Sequence, residues 1–187
     1  MNWKSYSGLT NTHAFLSPSK HHWLNYTDEK LLESYKNHKR IVLGTRLHAL
    51  ASELIELARM QPPTADSFNA FVNDAIGYGM ASEVILYYSP RCYGTADAIK
   101  FENKVLRIHD LKTGNAPGSM KQLLIYAALF CLDYEIDPLE ISEIFLRIYQ
   151  NEEIIEMNPE PKDVFEVGRR IVYLDKLVEE AEELVVL

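Results

Sequence analysis

Apolar residues recur at helical spacing over 43–60, where Leu47, Leu50, Ala51, Leu54, Ile55, Leu57 and Ala58 fall on one side. A shorter helix is expected before it, with Thr27 as cap and 30–37 as body. Gln61-Pro62-Pro63-Thr64 stops the longer helix. A third helix is expected over 66–78, closed by Gly77 and Gly79. The period then changes. Residues 83–88 are rich in strand formers and end at Pro90, and strands are expected again over 94–101 and 105–112. A helix over 120–132 is apolar on most sides, as a buried helix would be. A strand over 141–149 and a short one over 153–157 follow. After Pro159 and Pro161 comes an amphipathic helix over 163–184, with Val164, Val167, Ile171, Leu174, Val178 and Ala181 along one stripe. Residues 1–26 read as irregular, with Trp3, Tyr6, Phe15, Trp23 and Tyr26 among polar positions. The order predicts an α/β fold, a central mixed β-sheet flanked by helices. One domain over 1–187 is expected, its helical part about 1–80 and its sheet core with C-terminal helix about 81–187.

The segment 94–114 holds the most information. With Asn103-Lys104 as a two-residue hairpin loop, Glu102 faces Val105, Phe101 faces Leu106 and Ile99 faces Ile108. The same register sets Asp97 opposite Asp110, at the end of the face that carries those apolar residues. Opposed side chains have Cβ atoms about 5 Å apart. Lys112 lies two residues beyond Asp110 and points the same way. Two carboxylates that close in an apolar layer need a compensating cation. Lys112 can neutralise one, and a divalent metal both; oxygen ligands suit Mg2+ or Mn2+. The alternative is a solvated sheet edge with Lys112 as an ordinary ion-pair partner.

Composition narrows the classes. Of 187 residues, 47% are hydrophobic and 25% charged, the balance of a globular protein with a proper core. No run of about 18 apolar residues predicts a membrane span. The first ten residues lack an apolar signal core, so a cytoplasmic protein is expected. Cys92 and Cys131 are too few for a disulfide framework or a four-cysteine cluster and are expected as reduced thiols. The net charge of −8 argues against nucleic acid until its distribution is considered. Residues 1–60 carry eight Lys/Arg against five Asp/Glu, whereas 128–187 carry five against sixteen. The acidity belongs to the C-terminal third, where a solvated outer face is expected.

Gly94-Thr95-Ala96-Asp97, then Asp110-Leu111-Lys112-Thr113-Gly114, then Gln122 and Tyr126 four apart, with Gly44-Thr45-Arg46-Leu47-His48 upstream, together resemble the PD-(D/E)XK nuclease superfamily, most of all its RecB-like and phage exonuclease-type branch. Asp-x-Lys alone is weak; four motifs in order over residues 44–126 are specific. The resemblance implies a restriction-endonuclease-like core and a Mg2+- or Mn2+-dependent deoxyribonuclease, expected as an exonuclease in DNA recombination or repair. It implies that Asp97, Asp110, the Leu111 carbonyl and His48 hold the metal. Lys112 then orients or deprotonates the attacking water, and Gln122 and Tyr126 contact the substrate or hold Lys112. Arg46 and Lys121, beside the motifs, are candidate phosphate contacts, as are Lys36, Lys39 and Arg40. Glu83 could add a further carboxylate; Glu53 carries less weight, and His109 alternates to the opposite face, away from the site.

Each residue also has a structural reading: His48 as a core histidine, Tyr126 as core packing, Gln122 as a surface amide. The chain departs from iron–sulfur members of the branch, which need four cysteines, and it has no Walker A motif for a helicase motor. Its size resembles small phage-encoded members. Expected partners are DNA and a divalent metal, with a homo-oligomer or recombination partner open and no membrane. The rival readings are a structure-specific endonuclease on the same core, an inactive nucleic-acid-binding scaffold, and an adaptor acting through the acidic C-terminal helix.

Overall fold

The structure, a computed structural model, describes residues 14–114 and 116–185. The positions Trp3 and Tyr6 lie outside the described residues. The chain divides into two compact units, Met1–Leu43 and Gly44–Leu187, each described by itself.

The first unit holds a 3-10 helix, Pro18–Asn25, with proline at its start, and the first part of helix α1, Asp28–Glu56. The sequence predicts two helices here; α1 is continuous. Its middle, His38-Lys39-Arg40-Ile41-Val42, has no apolar period but also no proline, so nothing breaks the backbone ladder. The helix ends at Glu56, short of the predicted residue 60. Ala58 turns into the left-handed region at φ 49°. Its N–H returns to the Ile55 carbonyl and that of Arg59 to the Leu54 carbonyl, a Schellman closure.

The second unit takes the rest of α1 and helix α2, Ser67–Tyr78, which has both expected ends. The Asp66 carboxylate accepts from the N–H groups of Phe68 and Asn69, and Gly79 at φ 63° closes the last turn. Strands β1 Ala81–Ser89, β2 Cys92–Glu102 and β3 Val105–Leu111 form a meander. Helix α3, Met120–Asp133, crosses over to β4, Glu143–Gln150, which pairs parallel to β3. Strand β5, Glu153–Met157, pairs antiparallel to β4, and helix α4, Pro161–Val185, follows. The result is a mixed α/β unit whose five strands lie in chain order.

The predicted hairpin is present. Glu102 pairs Val105, Phe101 pairs Leu106 and Ile99 pairs Ile108, with Asn103 and Lys104 both at positive φ. That is the backbone a two-residue turn needs to match the strand twist.

The central strands β3 and β4 are buried on both faces. Leu106, Ile108, Leu146 and Ile148 pack with Leu123, Ala127 and Phe130 of α3 and Val164 of α4. Leu111 and Tyr149 pack with Phe71, Val72 and Ala75 of α2 and Ala51 and Ile55 of α1. Each large apolar side chain so buried contributes about 1.5–3 kcal/mol. Along α4 the predicted stripe docks only at its start. Val164 is fully buried, Val167 and Ile171 partly, whereas Leu174 and Val178 are exposed. The acidic end is not wholly a solvated face. Arg91, in the β1–β2 turn, pairs with Asp175, Glu179 and Glu182. Among the described residues no helix is long and apolar enough to cross a membrane.

Candidate functional site

Strand β2 changes phase near Asp97. Ala96 packs on the α3 side of the sheet, yet Ala98, two residues on, packs on the α2 side. Strict alternation would put both on one face. On β1 the register holds across Glu83, which lies unpaired between Ser82, which pairs Ala98, and Val84, which pairs Ala96; the register shift itself falls between Tyr87 and Ser89. Glu83 has φ 51°, in the left-handed region. For a non-glycine residue this costs on the order of 1–3 kcal/mol and clusters at functional sites.

The break corrects the predicted placement of the carboxylates. The β2–β3 pairing runs from Glu102↔Val105 to Ala98↔His109, so Asp97 and Asp110 lie just beyond the last pair. Instead of continuing the ladder, the Asp97 carboxylate accepts the Leu111 N–H at 2.8 Å through Oδ2. Its other oxygen, Oδ1, lies 3.2 Å from His48 Nδ1.

Ligand atoms of His48, Glu83 and Asp97 lie within 4.8 Å of one another. Glu83 is therefore drawn into the site that the sequence left it beside. The only legible sign was a carboxylate at the start of a strand; its strained backbone cannot be read from residue types.

Asp110 is 3% exposed. Lys112 Nζ donates to its Oδ1 at 3.1 Å and lies 2.9 Å from Oδ2, which receives no well-directed hydrogen bond. Burial first, and Asp97 second, push the Asp110 carboxyl above the usual carboxylate range, with Lys112 opposing. Burial and Asp97 raise Glu83 likewise. His48 is raised by its bond to Asp97, against its own desolvation. Three carboxylates thus meet one lysine and one histidine, an excess of negative charge in a partly dry place.

From α3, Gln122 Oε1 accepts from Lys112 Nζ at 2.9 Å, and Gln122 Nε2 donates to the Tyr126 hydroxyl at 3.2 Å. The sequence placed this pair four apart on one helix face; the structure makes it the support of Lys112. Lys112 N–H is in turn fixed by the Tyr149 carbonyl at 2.9 Å.

Two motif glycines are explained by close approach. A Cβ on Gly44 would stand 2.6 Å from Thr113 Oγ1, and one on Gly94 would stand 2.9 Å from the Tyr126 ring. Arg46 and Lys121 are exposed on α1 and α3. Glu53 is exposed on α1. His109 is fully buried on the α2 side, as the alternation requires.

The chain is similar to the Gene 69 protein of Mycobacterium phage L5, with 36% identity over 56 residues. That stretch covers 30% of this chain and 19% of the phage protein, so the chain spans about a fifth of that relative's length. No family model matches the chain. No solved structure matches it.

Proposed function

We propose that the chain is a metal-dependent DNA nuclease of the PD-(D/E)XK type, on a restriction-endonuclease-like core of the RecB-like branch. The observation that carries this reading is the partly buried carboxylate cluster, in excess over its cations. Asp110 is buried with one oxygen short of a directed donor, beside Asp97 and Glu83, with only Lys112 and His48 against the three carboxylates. A resting fold gains nothing from that charge; a cation supplies what is missing.

The donor set fits Mg2+ or Mn2+. Carboxylate oxygens of Asp97, Asp110 and Glu83 would hold it, with His48 as a nitrogen donor once it releases Asp97. Such an ion polarises a scissile phosphate and lowers the pKa of bound water. The chain's own residues do the remainder. Lys112, directed by Gln122 and Asp110, orients the attacking water and offsets charge that develops on the phosphate. The Tyr126 hydroxyl holds Gln122 and offers a hydrogen bond to the substrate strand. Arg46 and Lys121 supply phosphate contacts that position DNA. The short similarity to a phage protein supports a phage setting, and exonuclease action in recombination or repair is the expected role.

Digestion of linear and circular DNA, each single- and double-stranded, with Mg2+, Mn2+ or EDTA tests the reading. Cleavage of linear DNA that EDTA abolishes is expected. Undiminished cleavage in EDTA overturns the metal mechanism, and cutting of closed circles overturns the exonuclease assignment in favour of an endonuclease.

A further inference from the structure

The first unit contains a cavity of about 420 Å³ whose wall includes Phe15, Trp23, Tyr26, His38, Lys20 and Asn37. That volume is in the range of small-ligand sites. No carboxylate lines it among the described residues.

The rings are held in place. Trp23 Nε1 donates to the Ser17 carbonyl at 3.0 Å. Phe15 packs edge-on to Tyr35 at 5.1 Å between centroids and lies 5.4 Å from the His38 ring. Ammonium groups stand over neighbouring ring faces, Lys30 over Tyr26 at 4.5 Å and Lys39 over Tyr35 at 5.5 Å. Within 14–43, Lys20, Lys30, Lys36, Lys39 and Arg40 face only Asp28, Glu29 and Glu33, so this unit is basic where the C-terminal third is acidic.

Aromatic faces interleaved with cations are what unpaired bases and their phosphates require. Any base can stack on a ring, and the backbone follows the positive charge.

We infer that this cavity takes an unpaired base of a single-stranded stretch of DNA, with Lys20 on an adjoining phosphate. The inference deepens the nuclease reading and rests on it for the choice of DNA as ligand.

The chain has two tryptophans, so Trp3→Phe leaves Trp23 as the sole emitter. The full chain with that change is titrated in EDTA with a dodecamer of deoxythymidine and, separately, with a blunt duplex of equal length. Saturable quenching of Trp23 by the single strand, and not by the duplex, is expected. Anisotropy of a labelled dodecamer is expected to show affinity about 5- to 100-fold weaker in Trp23→Ala. The slope of log affinity against log salt is expected to fall by about 0.7 in Lys20→Ala.

The absence of quenching overturns the cavity assignment, as does equal quenching by the duplex or unchanged affinity in both Trp23→Ala and Phe15→Ala. The quenching titration keeps Trp23, so it decides even if Trp23→Ala fails to fold. Asp110-dependent cleavage without Trp23 quenching removes the cavity and leaves the nuclease. Trp23 quenching together with cleavage that persists in Asp110→Ala does the reverse.

Discussion

His109 and Asp110 are neighbours on β3, at 0% and 3% exposure, and they meet the cost of burial in opposite ways. His109 faces α2, where its Nδ1 is partnered by Tyr149 while its buried Nε2 has no hydrogen-bond partner. The Tyr149 hydroxyl donates to Asp74 at 2.6 Å, so its oxygen must accept from His109 Nδ1–H at 3.1 Å. Arg147 pairs with Asp74 and Glu156. The Arg107 guanidinium stacks on Tyr78 and Phe145. Burial, reinforced by Arg147 and Arg107, pushes the His109 imidazole down to about 3, so it stays neutral. Asp110 faces the other way, beside Asp97, with a single lysine. Both regions bury polar groups, so burial does not separate site from scaffold. The sign of the remaining charge does: the α2 side balances its acids with arginines, and the Asp110 side keeps an excess of carboxylate.

The largest expected effect is on catalysis. Asp110→Ala is expected to abolish cleavage and Lys112→Ala to slow it roughly 10²–10⁴-fold. Tyr149→Phe is expected to keep turnover within a few-fold. Rates on labelled linear DNA decide; loss of activity in Tyr149→Phe as deep as in Lys112→Ala erases the contrast.

Metal binding comes next. Mg2+ or Mn2+ at a hundred times its Kd is expected to raise unfolding free energy by about 2.7 kcal/mol. Asp97→Asn removes that gain and Glu83→Gln reduces it, while Gln122→Ala and Tyr149→Phe keep metal affinity within about twofold by calorimetry. A Gln122→Ala variant as metal-blind as Asp97→Asn would make the amide a ligand instead of a support for Lys112.

In EDTA the two neighbours are expected to diverge in stability. Tyr149→Phe leaves Asp74 and His109 short of partners and costs about 1–3 kcal/mol. Asp110→Asn relieves a buried charge and is expected to raise Tm while abolishing cleavage. A drop in Tm for Asp110→Asn contradicts the charge excess.

The finest test is pH. His109 has a folded value below its unfolded one, so its contribution is present above the usual imidazole range and lost as pH falls toward about 3. The slope is at most about 1.4 kcal/mol per pH unit. Asp110 has a raised folded value, so its contribution is present at low pH and lost as pH rises through that value. Urea unfolding in EDTA between pH 4.5 and 7 is expected to show a flatter profile for His109→Phe. An unchanged profile would mean that His109 titrates in the fold as it does in the unfolded chain, which contradicts the lowered folded value.

Much of this was legible in residue order. The period change at 83, the Asn103-Lys104 turn and the helix over 66–78 with its close at Gly79 are local matters, set by backbone sterics and nearest neighbours. The register followed from them, and with it the proximity of Asp97, Asp110 and Lys112. The helix break predicted before residue 43 did not occur, because an interrupted apolar pattern removes packing partners but leaves the backbone ladder intact.

The sequence by itself determined the mixed α/β unit, the hairpin register and the carboxylate–lysine group, because each depends on contacts between residues near in the chain or on a period of two. Tertiary structure alone decided that β2 changes face at Asp97, that Glu83 is strained into the group, that His48 reaches Asp97 from α1, and that Gln122 holds Lys112. Those arrangements join residues 10 to 49 positions apart, and no local propensity encodes them. They are settled when two faces of one sheet are packed at once and the strand must yield where the two demands meet.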